Sequence, residues 1–225
     1  MLRIKSINIT FGSYYQHTMF IEPKNSKGWL EVVCGSMFSG KTEELIRRVK
    51  RARIAKQSVR IFKPKMETRY DKVKVVSHDD NYLDSFPVDS ASEILDWIDG
   101  IDVIGIDEAQ FFDDGLPEVC NTLANAGKRV VIAGLDMDYL AKPFGVMPNL
   151  MAMAEYVTKV HAICMQCGSA AQYSYRFSKK GGRVQLGEKD QYEPRCRACF
   201  IKGMATQTAG KRRKSPPNND KGHSF

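Results

Sequence analysis

The stretch Gly35-Ser36-Met37-Phe38-Ser39-Gly40-Lys41-Thr42 fits the pattern G-x-x-x-x-G-K-[ST] and constrains the fold more than any other part of the chain. It follows the apolar run Trp29 to Cys34 and precedes a segment with Leu45, Val49 and Ala52 at helical spacing. A strand before and a helix after is the context in which such a loop binds phosphate. A match in a chain this long arises by chance about one time in a hundred at ordinary residue frequencies. Glycines let the backbone wrap round an anion, so that several N–H groups and the helix N-terminus point at one site. Lys41 is then expected to reach the β- and γ-phosphates of a nucleotide, and Thr42 to offer its hydroxyl to Mg²⁺.

From Trp29 onward, β-rich and helical runs alternate: "WLEVVC", the Lys41 helix, "VRIFK", a helix over Ala91 to Ile98, "IDVIGID", a helix over Leu116 to Ala126, and "RVVIAGLD". That alternation predicts a parallel sheet flanked by helices. "VIGID" and "VVIAG" are apolar on both faces and belong in the middle of it. Ligand gathers at the C-terminal ends of such strands. Asp107 closes one of them, the usual place for the acid that holds a nucleotide's Mg²⁺ through water, and Glu108 follows. Glu108 could orient water in an ATPase, accept a proton from a substrate hydroxyl in a kinase, or form a surface salt bridge; spacing alone leaves these open. Gln110, Phe111 and Phe112 come next. The two aromatics are either core plugs or a face for a flat base.

With 225 residues, 43% of them hydrophobic, the chain can build one good-sized core and a smaller appended module. Its net charge of +8 admits nucleic acid, an anionic membrane surface or phosphate-bearing small molecules as partners. Arg47, Arg48, Lys50, Arg51 and Arg53 follow the glycine-rich loop, and Lys211 to Lys214 sit in a tail rich in Pro, Asn and Lys. Because Leu45, Val49 and Ala52 share a helix face, Arg48, Lys50 and Arg51 are expected to point mostly to solvent. No apolar run approaches the ~20 residues that cross a bilayer, and no signal-peptide pattern is present, so a cytoplasmic protein is expected.

Cys34 and Cys120 lie in apolar segments and read as buried, unreactive thiols. Cys164-Met-Gln-Cys167 and Cys196-Arg-Ala-Cys199 instead form two tight pairs, the arrangement that closes a structural Zn²⁺ site with four thiolates. Two disulfides or a redox Cys-x-x-Cys are the competing readings. The segment between the pairs holds "AQYSYRF" and "RVQL" joined by the turn-prone "SKKGG", a loop fastened at its base that could close over a ligand. Taken singly, Tyr173, Tyr175, Arg183, Gln185 and Tyr192 in this insert are ordinary hairpin residues.

In that order and at these distances, "CGSMFSGKTEELIRR", "GIDEAQFF", "GLDMDY…KPFG", "CMQC" and "CRAC" resemble the thymidine kinase family of the zinc-containing, human-cytosolic and bacterial type, over about residues 28 to 205. The resemblance implies a P-loop NTPase-like α/β domain over 28–155 and a small ribbon-like zinc module with a lasso loop over 156–206. Residues 1–27, without sustained periodicity, read as an extension, and 207–225, rich in Pro, Asn and Lys, as a basic, disordered tail. The resemblance also implies ATP-dependent phosphorylation of the 5′-hydroxyl of thymidine. Carried over residue by residue, Gly35 to Thr42 and Asp107, Glu108, Ala109 and Gln110 would hold ATP, with Thr42 and Asp107 at the Mg²⁺ and Glu108 as general base. Met37, Phe111, Leu135, Tyr139 and Phe144 would wall the base pocket. Arg183, Val184, Gln185, Leu186 and Gly187 would form the lasso that reads the thymine edge, with Tyr192 at its end. Tyr139 stands where the human-type enzyme has phenylalanine. A homotetramer inhibited by thymidine triphosphate is the family's usual state, with neither a membrane nor a nucleic acid as partner. Two rival readings remain from the residues alone. One is a nucleic-acid-binding protein using the basic helix and zinc module; the other is a plain ATPase switch.

Overall fold

A computed structural model describes residues 28–65, 85–177 and 191–212, with side chains through Gln207. Its centre is a six-stranded parallel sheet in the order β3-β2-β4-β5-β1-β6. In chain order these strands are β1 (Trp29–Gly35), β2 (Val59–Pro64), β3 (Ser85–Val88), β4 (Val103–Ile106), β5 (Arg129–Leu135) and β6 (Tyr156–Val160). The strands β1, β4 and β5 are buried on both faces, as their unbroken apolar runs require. Helix α1 (Lys41–Ile54) covers one face, packing Leu45, Ile46, Val49 and Ala52 on Ile61, Val103, Val131 and Ala133. The other face is covered by α2 (Leu116–Asn125), α3 (Met147–Met153) and a 3-10 helix at Ser92–Trp97, which enclose Leu30, Val32, Ile104, Ile106, Val130 and Ile132. Burying each such aliphatic side chain contributes about 1.5–3 kcal/mol. The α/β class expected from the alternation is the one observed.

Several details depart from the sequence pattern. Arg48 is 4% exposed rather than solvated. The cause is Glu31, a fully buried carboxylate on β1 that must be paired, and Arg48 Nη1 and Arg129 Nε donate to it at 2.8 and 2.7 Å. Arg48 also donates to Glu44 at 2.8 Å and to Thr158 at 2.9 Å, so its guanidinium ties α1 to β1 and β6. The Ala91 to Ile98 segment forms a shorter 3-10 helix, Ser92–Trp97, in which Ile94 is buried while Leu95 and Trp97 are exposed. Strand β3 went unread because Pro87 breaks its pattern; it stands at the sheet edge, where a missing N–H is tolerated. Helix α3 is short and begins with a proline in its first turn.

Sheet pairing also runs past the change of pattern at Tyr156, since β6 pairs with β1 from Tyr156 to Val160. Beyond it lies the small module. It comprises β7 (Ala162–Ile163) paired with β8 (Ala170–Ala171), β9 (Tyr173–Arg176) paired with β10 (Tyr192–Arg195), and α4 (Arg197–Arg212). Helix α4 carries residues 207–212, which composition alone had assigned to the tail. The 1–27 extension, the tail beyond 212 and the lasso residues Arg183 to Gly187 lie outside the described residues.

Candidate active site

Strand β1 delivers the chain into the glycine-rich loop, and α1 begins at Lys41. Gly35 has no room for a side chain: an added Cβ would sit 2.2 Å from the Val160 carbonyl oxygen on the neighbouring strand. Gly40 turns into the helix at φ +84°, a conformation glycine adopts without cost. The Ser36 carbonyl gathers the loop, accepting from Ser39 Oγ and Lys41 Nζ, both at 2.7 Å. Lys41 is thus folded inward, and burial lowers its pKa while the carboxylates Glu108, Asp107 and Asp136 act the other way. The Met37 N–H donates to Ser174 Oγ at 3.0 Å, a contact from the small module.

Two strands away, Asp107 follows β4 and is 6% exposed. Thr42 Oγ1 lies 3.1 and 3.3 Å from its two carboxylate oxygens, so the loop hydroxyl and the strand-end acid meet as the sequence predicts. Burial, with the adjacent Glu108 charge, pushes the Asp107 carboxyl up to about 7. A buried acid in this state gains from a cation. Glu108 sits at φ +53°, rare for a side-chain-bearing residue. Its carboxylate accepts a 2.5 Å hydrogen bond from Gln110 Nε2, while Gln110 Oε1 accepts from the Leu135 N–H at 2.8 Å. Gln110 therefore clamps Glu108 to the end of β5. Ala109 and Gln110, expected among the nucleotide contacts, have their side chains inside the protein.

Phe111 meets Phe144 edge-on, with ring centroids 5.5 Å apart, whereas Phe112 is a core plug. Leu135 ends β5 opposite Gly35 in register. The turn carrying Tyr139 is built by Asp138, which accepts from the Leu140 and Lys142 N–H groups at 2.9 and 3.0 Å. The guanidinium of Arg176 lies 3.5 Å over the Tyr139 ring, and Tyr192 pairs with Arg176 across β9 and β10. The structure thus gathers the loop, Asp107, Glu108, Phe111, Leu135, Phe144, Tyr139 and Tyr192 round the C-terminal end of the sheet. Sequence reasoning missed Gln110 as a clamp and Ser174 and Arg176 as neighbours of the site. The alternation in "YSYRF" was the available signal for the latter two.

Cys164, Cys167, Cys196 and Cys199 offer four sulfurs within 4.8 Å of one another, and all four are free thiols. The Cys167 and Cys196 sulfurs are 3.6 Å apart. Tetrahedral zinc with Zn–S bonds of about 2.3 Å spaces its ligands at ~3.8 Å, so the cluster fits such an ion. The thiols also differ: hydrogen bonding with Ser169 brings Cys167 down to about 6, whereas the Cys196 thiol raises Cys199 to about 12. A divalent cation is what lets packed thiols all ionise. Cys34 and Cys120 are buried, which raises them to about 11 and about 12, as expected of inert thiols.

The family model for thymidine kinase matches residues 28–200, which include the loop, both carboxylates and all four clustered cysteines. The chain belongs to the thymidine kinase family. It is accordingly a kinase, a phosphotransferase, and its phosphate loop implies ATP. Thymidine kinase of Rhodothermus sp. (strain ITI 518) is 58% identical over 191 residues, 85% of this chain and 90% of that one. Thymidine kinase of Bacteroides fragilis (strain YCH46) is 58% identical over 184 residues, covering 82% and 92%. That of Porphyromonas gingivalis (strain ATCC 33277) is 54% identical over 198 residues, covering 88% and 92%. Among the described residues of this kinase, no helix is long and apolar enough to cross a membrane.

Proposed function

We propose that this kinase transfers the γ-phosphate of ATP to the 5′-hydroxyl of thymidine, giving thymidine monophosphate and ADP for deoxynucleotide salvage, with Glu108 as general base. The observation that carries this reading is the left-handed turn at Glu108 and its clamp by Gln110. Together they separate the Glu108 carboxylate from that of Asp107, which faces Thr42. One carboxylate is thereby free for an acceptor while the other serves the nucleotide. Mg²⁺ bound with ATP would neutralise charge on the β- and γ-phosphates; Thr42 and Asp107 are the residues to hold it. Lys41, released from the Ser36 carbonyl, binds the same phosphates. Glu108 takes the hydroxyl proton as the oxygen attacks. Little proton transfer is needed early in a loose transition state, so alignment by Glu108 and charge neutralisation by Lys41 contribute most of the acceleration.

In this reading Met37, Phe111, Leu135, Tyr139 and Phe144 wall the base, and Arg183 to Gly187 with Tyr192 close over it. A thymine edge runs carbonyl, imide, carbonyl and pairs well with backbone groups; cytosine would leave buried groups unpaired. Cys164, Cys167, Cys196 and Cys199 hold Zn²⁺ as a closed structural site. The family resemblance further supports a cytoplasmic homotetramer inhibited by thymidine triphosphate. The nucleic-acid reading loses support because Arg48 is buried and Arg47 is engaged by Glu44 through two hydrogen bonds of 2.6 and 2.8 Å. The test is ADP release by the purified protein with ATP and Mg²⁺ and each of thymidine, deoxyuridine, deoxycytidine and deoxyadenosine. Release is expected with thymidine and absent with deoxycytidine and deoxyadenosine. Release indifferent to every nucleoside would make the protein an ATPase instead.

A further inference from the structure

Strand β9 has two faces. Tyr173 and Tyr175 point into the small module, where Tyr173 stacks on Phe200 at 4.7 Å and Tyr175 meets the same ring edge-on at 6.2 Å. Phe200 follows Cys199 directly on α4, so this face is keyed to the second cysteine pair. The fit is tight. Tyr175 donates its hydroxyl to the Gly203 carbonyl at 3.2 Å, and a Cβ added to Gly203 would come within 2.7 Å of the Tyr175 ring.

The alternate residues face the other way. Ser174, 5% exposed, accepts the Met37 N–H of the phosphate loop at 3.0 Å. Arg176, 2% exposed, lays its guanidinium 3.5 Å over the Tyr139 ring. One short strand therefore grips α4 behind the cysteine knuckle with its odd-numbered residues, which also pack on Met137 and Ala141 beside the Tyr139 turn, and meets the phosphate loop and the Tyr139 ring with its even-numbered ones. The period of two that makes a strand two-faced makes this possible.

We propose that Ser174 is a positioning residue of the phosphate loop, and that β9 is the strut through which the cysteine cluster fixes the nucleoside end of the active site. The inference rests on the reading that Met37 and Tyr139 wall the nucleoside. Its chemistry is simple. Without the Ser174 hydroxyl, the half-buried Met37 N–H loses its acceptor and the start of the loop moves to find another. Met37 belongs to the loop that would hold ATP as well as to the base wall, but Lys41 and Thr42 at the start of α1 have attachments of their own to Ser36 and Asp107. The damage falls on the acceptor side of the reaction.

The test is steady-state kinetics on the full, zinc-loaded chain, with thymidine and ATP varied separately, for Ser174→Ala, Ser174→Thr, Phe200→Leu and the double variant S174A/F200L. Ser174→Ala is expected to raise the KM for thymidine about tenfold and that for ATP less than twofold, with zinc content unchanged. Ser174→Thr, which keeps the hydroxyl, is expected to return the thymidine KM to within about threefold of the parent. Phe200→Leu loosens the other face of the strut, so it too raises the thymidine KM, and the double variant is expected to be less than twofold worse than Ser174→Ala. A parent-like thymidine KM in Ser174→Ala, or equal rises for thymidine and ATP, would overturn the positioning role. Full multiplication of the two effects in the double variant would overturn the strut. Parent protein without thymidine-dependent turnover would instead break the functional reading on which the inference stands.

Discussion

The six-stranded sheet and the cysteine module sit side by side and are held together by different physics. The sheet closes two continuous apolar layers over strands buried on both faces, and the charges of Glu31, Arg48 and Arg129 buried within it satisfy one another. Among the described residues, the module has two two-stranded sheets, one helix and two small clusters, with Tyr173, Tyr175 and Phe200 at the centre of one and the cysteines at the other. A domain this small rarely stands on its apolar contacts alone and needs a staple. The four thiols supply the place for one. The difference teaches where each half is vulnerable: the sheet to the loss of a buried partner, the module to the loss of the metal that its four thiols could hold.

The largest expected effect is metal removal. Treating the protein with a strong zinc chelator should abolish turnover, because structural zinc sites contribute folding free energy outright, about 10–16 kcal/mol in small zinc peptides. Trp29 and Trp97 both lie in the sheet half, so tryptophan emission should remain native while activity is lost. Loss of both signals together would break the comparison. Next comes Arg48→Met, which leaves Glu31 with a diminished set of partners; a cost of about 3–5 kcal/mol is expected in urea unfolding, with metal content per folded chain unchanged. A cost below about 1 kcal/mol would mean that the buried network does not hold the sheet half.

Asp107 supplies a smaller effect of opposite sign. Its folded pKa of about 7 lies above the ordinary carboxylate value, so its contribution to stability is full below about pH 4 and is lost as pH rises through 7. Asp107→Asn removes the cost of ionising there and should stabilise the metal-free nucleotide site at pH 8 by about 1–3 kcal/mol. The same variant should lose most of its kcat. Measuring melting temperature and turnover across pH 5 to 8 separates the two, and a variant less stable than the parent at pH 8 would contradict the burial argument. The smallest effect is expected at Arg47→Ala, next to Arg48 in sequence but exposed and paired only along the helix, at about 0.5 kcal/mol or less.

Arg47 and Arg48 also show what a sequence can convey. The phosphate loop, the central strands and the cysteine pairs were legible because each has a local pattern with one physical meaning. Arg48 was not, because its burial depends on Glu31 across the α1–β1 interface and on Thr158 from β6, partners that no helical period indicates. Glu108 was legible as a carboxylate at a strand end, yet the turn that aims it and the Gln110 side chain that holds it became visible only with β5 in place. Ser174 and Arg176 could be read as one face of a strand, but what that face meets depends on how the module docks.

The most direct test of the central claim compares ADP release by the parent and by Glu108→Gln, with ATP and Mg²⁺, in the presence and absence of thymidine. The account predicts release that depends on thymidine in the parent and falls by about a hundredfold or more in the variant, the range expected for a lost general base. It predicts little change in ATP binding, because Asp107, Thr42 and Lys41 remain. Thymidine-dependent release at the parental rate in Glu108→Gln would contradict it.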